Sequence, residues 1–371
     1  MPYPKPDFSF LFIFFLMAQL VHAQSTITIR NLAPIPDGDG FAGSLAGVSH
    51  GALLVAGGSN FPDGGRPWNG GTKKWYDQIF VLEKPSGKWK LAGNLPRPLG
   101  YAVSVTWRDA VVCVGGSNAD GHVVDSFLMR WHHKKITFEA LPDFPMPLAN
   151  ACGALIGDVL YVAGGLEKPT DTQALHTFYA LDLAAKPAER TWKLLPAWQG
   201  EGRMLSVAAV RNGKFFLFSG TQLRYQSDDQ SVSRSYLKDA HCFDPALNRW
   251  TRQADLPHAT VAAPGPAIPL GNQIIILGGD TGENAAAGLS LQDKHPGFST
   301  EFLAYDPSEN SWRSLQYFQA DLRPNAETHP NESTYWPVTT PAVLWRGGYI
   351  IPGGEVRPGT RTPRVLMIEP K

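Results

Sequence analysis

Six times along this 371-residue chain a short apolar run stops at a pair of small residues. The pairs close Val55-Ala56-Gly57-Gly58, Cys113-Val114-Gly115-Gly116, Val162-Ala163-Gly164-Gly165, Leu217-Phe218-Ser219-Gly220, Ile276-Leu277-Gly278-Gly279 and Ile351-Pro352-Gly353-Gly354. Successive second members are 58, 49, 55, 59 and 75 residues apart. Self-similarity on this scale marks a repeat architecture, and it constrains the fold before any single residue is weighed. A strand ending in two small residues lets the backbone turn with positive φ and lets a neighbouring segment approach closely.

The first unit reads as four antiparallel strands with turn residues between them. Ala42 to Val48 is small and apolar, as an inner strand crowded around an axis must be. Ala52–Ala56 follows, then Asp77–Leu82 after a long loop, then Lys88–Leu91 after Pro85-Ser86-Gly87, and Tyr101–Val105 begins the next unit. Later units repeat the order, with Trp192, Trp250 and Trp312 where the first has Trp89; the second unit has Ile136-Thr137-Phe138 instead. These tryptophans are expected to pack between adjacent sheets.

The last unit supplies three strands, near Ala342–Trp345, Tyr349–Ile351 and Val365–Ile368. Thr26–Arg30, followed by Leu32-Ala33-Pro34-Ile35-Pro36, parallels Trp89-Lys90-Leu91 leading to Leu95-Pro96. The expected fold is therefore all-β: a six-bladed β-propeller whose last blade is closed by the N-terminal strand. Closure of this kind leaves no long exposed edge.

Lys5 followed by the almost wholly apolar stretch Phe8–Val21, about 14 residues, with Ala23 before Gln24, reads as a secretory signal peptide over 1–23. The apolar stretch is short of the roughly 20 residues that span a bilayer. The expectation is a single domain over 24–371, exported to the periplasm or secreted, monomeric, and free of the membrane once the leader is removed. A net charge of zero gives no electrostatic footprint for nucleic acid. Cys113, Cys152 and Cys242 sit in apolar segments and read as buried free thiols; a Cys113–Cys152 bridge is the alternative.

In an up-and-down blade, the loops after the second strand and those entering the next blade emerge on one face near the axis. That mouth is the expected ligand site. The first such loop, Ser59 to Tyr76, is 18 residues long and mixes aromatic, amide, carboxylate and cationic groups, which suits a sugar. In the sixth loop Pro358-Gly359 makes a tight turn that brings Glu355 and Arg361 back together. Such a pair is either a plain ion pair or a proton-transfer group beside a carboxylate grip. Arg203, Asn60, Asp63, Arg97, Tyr335 and Trp336 share the loop face as candidate contacts, each with a structural role as the alternative. His132-His133 reads as a solvated turn, and no metal or cofactor is expected.

The Gly-Gly strands with following Tyr-Asp and Trp positions resemble kelch repeats. Gly354-Glu355-Val356-Arg357-Pro358-Gly359-Thr360-Arg361 resembles the Gly-Glu-x-x-Pro-Gly-x-Arg loop of the N-acetylneuraminate epimerases, the sialic acid mutarotases. Gly40-Phe41-Ala42-Gly43, with Ala46-Gly47-Val48-Ser49 and Ala56-Gly57-Gly58, is similar to a second segment of that family. The order of the two segments is cyclically permuted here. The resemblance implies an isomerase that interconverts the α and β anomers of N-acetylneuraminate, with Glu355 and Arg361 functional. A kelch module that binds a glycan or protein without catalysis, and a mutarotase for another sugar, are the alternatives.

Overall fold

The computed structural model describes residues 1–2, 27–228, 230–321 and 330–370. Past its first two residues, the expected leader lies outside the described residues. Among those described, no helix is long and apolar enough to cross a membrane.

Six four-stranded antiparallel sheets form the propeller. The first is Leu45–Ser49, Ala52–Ala56, Gln78–Leu82 and Lys90–Asn94, paired in that order from the axis outward. The next four begin with inner strands Val103–Trp107, Cys152–Ile156, Val207–Arg211 and Ile268–Leu270. The sixth runs Val343–Trp345, Gly348–Pro352, Val365–Pro370 and then Ile27–Leu32. Its outer strand is the N-terminal one, paired from Ile27 opposite Pro370 to Leu32 opposite Val365. The expected closure is present.

Side chains alternate across each strand, and here both faces are covered by neighbouring blades. One apolar cluster joins Leu53, Val55 and Phe80 of blade one to Ile350, Val365 and Met367 of blade six. On its other side blade one meets blade two through Leu54, Ile79 and Val81 against Val111, Cys113 and Met129. The tryptophans fasten these interfaces. The indole N–H of Trp89 donates to Ala33 O at 2.7 Å, Trp192 to Pro142 O at 3.0 Å, Trp250 to Pro196 O at 2.7 Å and Trp312 to Ala254 O at 2.8 Å. Each acceptor lies just past the outer strand of the preceding blade. The three cysteines are free and buried.

Both members of every Gly-Gly or Ser-Gly pair take positive φ; in the sixth they are 70° and 114°. A Cβ on Gly354 would stand 2.7 Å from Val338 O, so the pair admits the loop that enters the blade. That loop forms one backbone bridge per blade, from Ala42 with Ser59 round to Val338 with Glu355.

The inner strands begin later than the sequence pattern suggests, at Leu45 and Val103 rather than Ala42 and Tyr101. The reason is a closed ring. Gly43, Tyr101, Asn150, Leu205, Ala262 and Thr339 all have left-handed backbones, with φ between 55° and 68°. Each N–H donates to the carbonyl of its counterpart one blade back: Tyr101 to Gly43 at 2.7 Å, Asn150 to Tyr101 at 3.0 Å, Leu205 to Asn150 at 2.8 Å and Ala262 to Leu205 at 2.8 Å. Thr339 to Ala262 at 2.7 Å and Gly43 to Thr339 at 2.8 Å complete the circle. Within the ring lies an axial cavity of about 110 Å³, walled by small residues such as Ser44, Ala102, Ala151 and Ser206.

Candidate functional site

Glu355–Arg357 and Thr360–Arg361 pair as a small hairpin, with Glu355 directly opposite Arg361. The turn is braced from within, because the Gly359 N–H donates to Glu355 Oε1 at 2.8 Å. Arg361 Nη1 approaches the same oxygen at 3.3 Å. The Arg361 side chain is only 5 % exposed and its guanidinium lies 4.8 Å over the Phe61 ring, yet neither Nε nor Nη1 has a hydrogen-bond partner. A buried cation with unmet donors is costly unless something anionic meets it. Burial works against the charged form, but Glu355 and the Tyr101 phenol outweigh it and hold this guanidinium above its ordinary value.

Tyr101 stands beside this pair. Its hydroxyl is 3.0 Å from Ser59 Oγ, Lys73 Nζ lies 4.4 Å over its ring, and Trp75 meets the ring edge-on at 5.4 Å. Burial pushes the phenol up, but Arg361 and Lys73 more than offset this and hold it below the usual tyrosine value.

Three more arginines surround the hairpin. Arg66 is buried, donating to Gly65 O at 2.6 Å and Asn331 Oδ1 at 2.9 Å, with Asp293 at 3.7 Å. Arg357 donates to Asp293 O at 2.7 Å and lies 5.6 Å over the Tyr335 ring. Arg364 donates to Tyr335 O at 2.8 Å, and burial lowers its guanidinium to about 10. Asp39, which accepts from the Asn331 amide, joins Asp293 near Arg66; four arginines and Lys73 against Glu355, Asp293 and Asp39 leave this quarter of the mouth positive, which favours an anionic ligand.

Glu355 also borders a cleft of about 270 Å³, shared with Arg234, Tyr236, Asp280 and His295. His295 Nδ1 accepts from the Gly297 N–H at 3.1 Å, so the neutral ring carries its proton on Nε2. Burial holds His295 below its ordinary value. Tyr236 is pushed up to about 12 by burial and by Asp280, to which its hydroxyl donates at 3.1 Å.

The other expected contacts separate from this cluster, with one exception. Arg203 is fully buried between blades, donating to both Asp239 oxygens at 2.8 and 2.7 Å and to Ser219 O at 3.1 Å. Its guanidinium is consumed inside the protein and does not reach the mouth, which corrects the expectation of a cationic contact. Asn60 is likewise corrected: its amide is spent on Gly40 O at 3.0 Å, Asp37 at 3.3 Å and the Tyr76 hydroxyl at 2.8 Å. Asp63 is exposed on a left-handed turn at φ 57°, and Arg97 is exposed and pairs with Asp125 at 3.6 Å. Trp336 is core, its indole N–H donating to Leu277 O at 2.9 Å. Tyr335 is the exception, half-buried against Arg357 and Gly297.

Sequence reasoning missed Tyr101 and His295, and read Arg66 and Lys73 only as the cationic groups of the first loop. Tyr101 reads only as the start of the second inner strand, and His295 follows no repeat position. The 18-residue first loop is not structureless: Ser59–Asn60 pairs with Lys74–Trp75, and Pro67–Asn69 forms a 3₁₀ turn. Among the described residues, no group of three or more His, Cys, Asp or Glu is arranged to hold a metal ion.

The N-acetylneuraminate epimerase family is matched over residues 20–138 and 141–287. The chain belongs to that family. An N-acetylneuraminate epimerase of Haemophilus influenzae (strain PittEE) is 29 % identical over 246 residues, 60 % of this chain and 58 % of that protein. One from Salmonella enteritidis PT4 is 42 % identical over 103 residues, 25 % of this chain and 26 % of that one. The chain thus spans less than two thirds of the length of these epimerases. The solved structure of YjhT superposes with a TM-score of 0.61 at 14 % identity, covering 76 % of this chain and 86 % of that one, and so shares the fold. The family match stops at residue 287, before the Glu355–Arg361 hairpin.

Proposed function

We propose that this protein is a sialic acid mutarotase, interconverting the α and β anomers of N-acetylneuraminate. Ring opening removes a proton from the anomeric hydroxyl and delivers one to the ring oxygen; after the keto form rotates, closure reverses both transfers. Glu355 is the proton-transfer group, and Arg361 grips the sugar carboxylate through its planar fork. The observation that carries the reading is the buried, hydrogen-bond-poor Arg361 guanidinium 3.3 Å from a carboxylate braced by the Gly359 N–H. Family membership supports the same chemistry.

The test follows anomer exchange by NMR with purified protein. Glu355→Gln is expected to lower the enzymatic rate about 10²–10⁴-fold, the range for loss of a general acid–base group. Arg361→Ala is expected to raise KM for the carboxylate sugar about tenfold or more, and to leave a neutral sugar's binding unaffected. Exchange no faster than buffer, together with measurable sialic acid binding, would favour a binding module. Accelerated exchange of a different sugar alone would change the substrate. Residues 1–23 are proposed as a cleaved leader exporting the enzyme to where sialidases release the sugar; a mature N-terminus at Gln24 is the expected sequencing result.

A further inference from the structure

We propose that Tyr101 is a second catalytic residue of this site, protonating the ring oxygen while Glu355 accepts the anomeric proton. The inference rests on the mutarotase reading and deepens it. Opening a hemiketal changes the protonation of two oxygens on one carbon. Glu355 is poorly placed to serve both at once, because Gly359 N–H and Arg361 Nη1 both engage Oε1 and leave Oε2 for the substrate. Tyr101 supplies what is missing. Its phenol lies at the mouth beside Arg361, and the same residue lines the axial cavity.

Its position is built rather than incidental. The left-handed backbone at φ 58° is fixed on both sides by the hydrogen-bonded ring. The side chain lies flat over Gly43, where a Cβ would come within 2.7 Å of its ring. The charged groups facing it are Arg361 and Glu355 from the sixth-blade hairpin and Lys73 from the first loop; Ser59 adds a hydroxyl. Two cations against one carboxylate favour the phenolate left after the proton is given up.

The step balances. The proton of the anomeric hydroxyl passes to Glu355 as the bond from the anomeric carbon to the ring oxygen breaks. That bond's electron pair stays on the ring oxygen, which takes the Tyr101 proton, and the lone pair on the former hydroxyl oxygen makes the carbonyl. In closure the ring hydroxyl returns its proton to the Tyr101 phenolate as it attacks the other carbonyl face, and Glu355 reprotonates the carbonyl oxygen. No oxidant or co-reactant is consumed.

Tyr101→Phe tests this, because it removes one hydroxyl and keeps the ring on Gly43 and Trp75. The expected result is anomer exchange slowed about 100-fold or more in kcat, with KM within a few-fold and an unchanged thermal unfolding midpoint. Difference titration of the phenolate absorbance, wild type minus Tyr101→Phe, is expected to show ionisation below the ordinary value of about 10. Fluorotyrosine at position 101 is expected to move the alkaline limb of the rate profile downward, which a merely structural ring would not do. An active wild type with Tyr101→Phe within threefold of it, or a phenol ionising at or above the ordinary value, overturns the inference alone. A wild type that accelerates no anomer exchange overturns the mutarotase reading and this inference with it.

Discussion

Arg203 and Arg361 are both arginines next to the strand-ending loops and both nearly inaccessible, yet their surroundings differ. Their difference lies in unmet donors. Arg203 spends its guanidinium on Asp239, Ser219 O and, at 3.3 Å, Glu201 O, whereas Arg361 leaves Nε and Nη1 without a hydrogen bond, Nη1 meeting Glu355 Oε1 only as an ion pair at 3.3 Å. Sequence shows that an arginine is present and not whether its donors are satisfied, so the two read alike there. Glu355 and Arg361 were legible because a Pro-Gly turn between them dictates their pairing. The Arg203 network carries its own prediction. Breaking a buried pair by Arg203→Ala is expected to cost about 3–5 kcal/mol, read from urea unfolding at neutral pH. Burial alone would raise the Asp239 carboxyl, but hydrogen bonds from His241 and Arg203 win and hold it well below the usual carboxylate range. A depressed folded value stabilises fully above the unfolded value of about 3.9, and that stability drains away as pH falls below it. The stability gap between wild type and Asp239→Asn is therefore expected to be widest above about pH 4 and to narrow in more acidic buffer. A gap that stays constant down to the acid transition would show that the carboxylate charge is not what matters.

Among the elements, the strand-ending pairs explain how much of the blade pattern could be read beforehand. Five pairs are Gly-Gly, and the fourth begins with Ser219 at φ 55°. A side chain survives there because it replaces a backbone contact. Ser219 Oγ accepts from the Thr260 N–H at 2.8 Å and donates to Leu237 O at 2.8 Å. In the first blade the matching space is taken by Leu99 O, 2.1 Å from where a Cβ on Gly57 would stand. The two exchanges should therefore differ. Ser219→Gly relieves left-handed strain worth about 1–2 kcal/mol but strands a buried N–H worth about 1–3 kcal/mol and loses a second hydrogen bond. A net loss near 1 kcal/mol is expected. Gly57→Ser has no such compensation and is expected to lose about 3 kcal/mol or more. Urea midpoints of the two variants settle the order; equal losses would mean the first blade has slack that its contacts do not suggest. The ring of left-handed residues was not legible, because Tyr101, Asn150, Leu205, Ala262 and Thr339 share no residue type and their conformation comes from the ring's hydrogen bonds.

For the whole molecule, the decisive feature is that one blade is shared by two distant stretches of chain. Ile27–Leu32 is bound to Val365–Pro370 along its length and to blade five through Gln316, whose side chain holds both Ile27 N and Ile27 O at 3.2 Å. Because the ring is closed, the contacts of each blade do not depend on where the chain is cut. Ile27 lies opposite Pro370, so a two-residue turn such as Asn-Gly joining them would convert the closure into an ordinary hairpin. New ends opened between Leu247 and Asn248, in an exposed turn, would place Arg249–Gln253 at the start of the chain and the other three strands of blade four at its end. That recreates the same closing device elsewhere on the ring. Such a permutant is expected to unfold cooperatively and, on the mutarotase reading, to keep anomer exchange within a few-fold of the parent. Deleting 27–32 is expected to do the reverse. It exposes the edge of Val365–Pro370, the strand that leads out of the Glu355–Arg361 hairpin, and so removes activity along with cooperative unfolding. If the permutant folds but loses exchange while Glu355 and Arg361 are intact, the catalytic geometry depends on something beyond closure of the sixth blade.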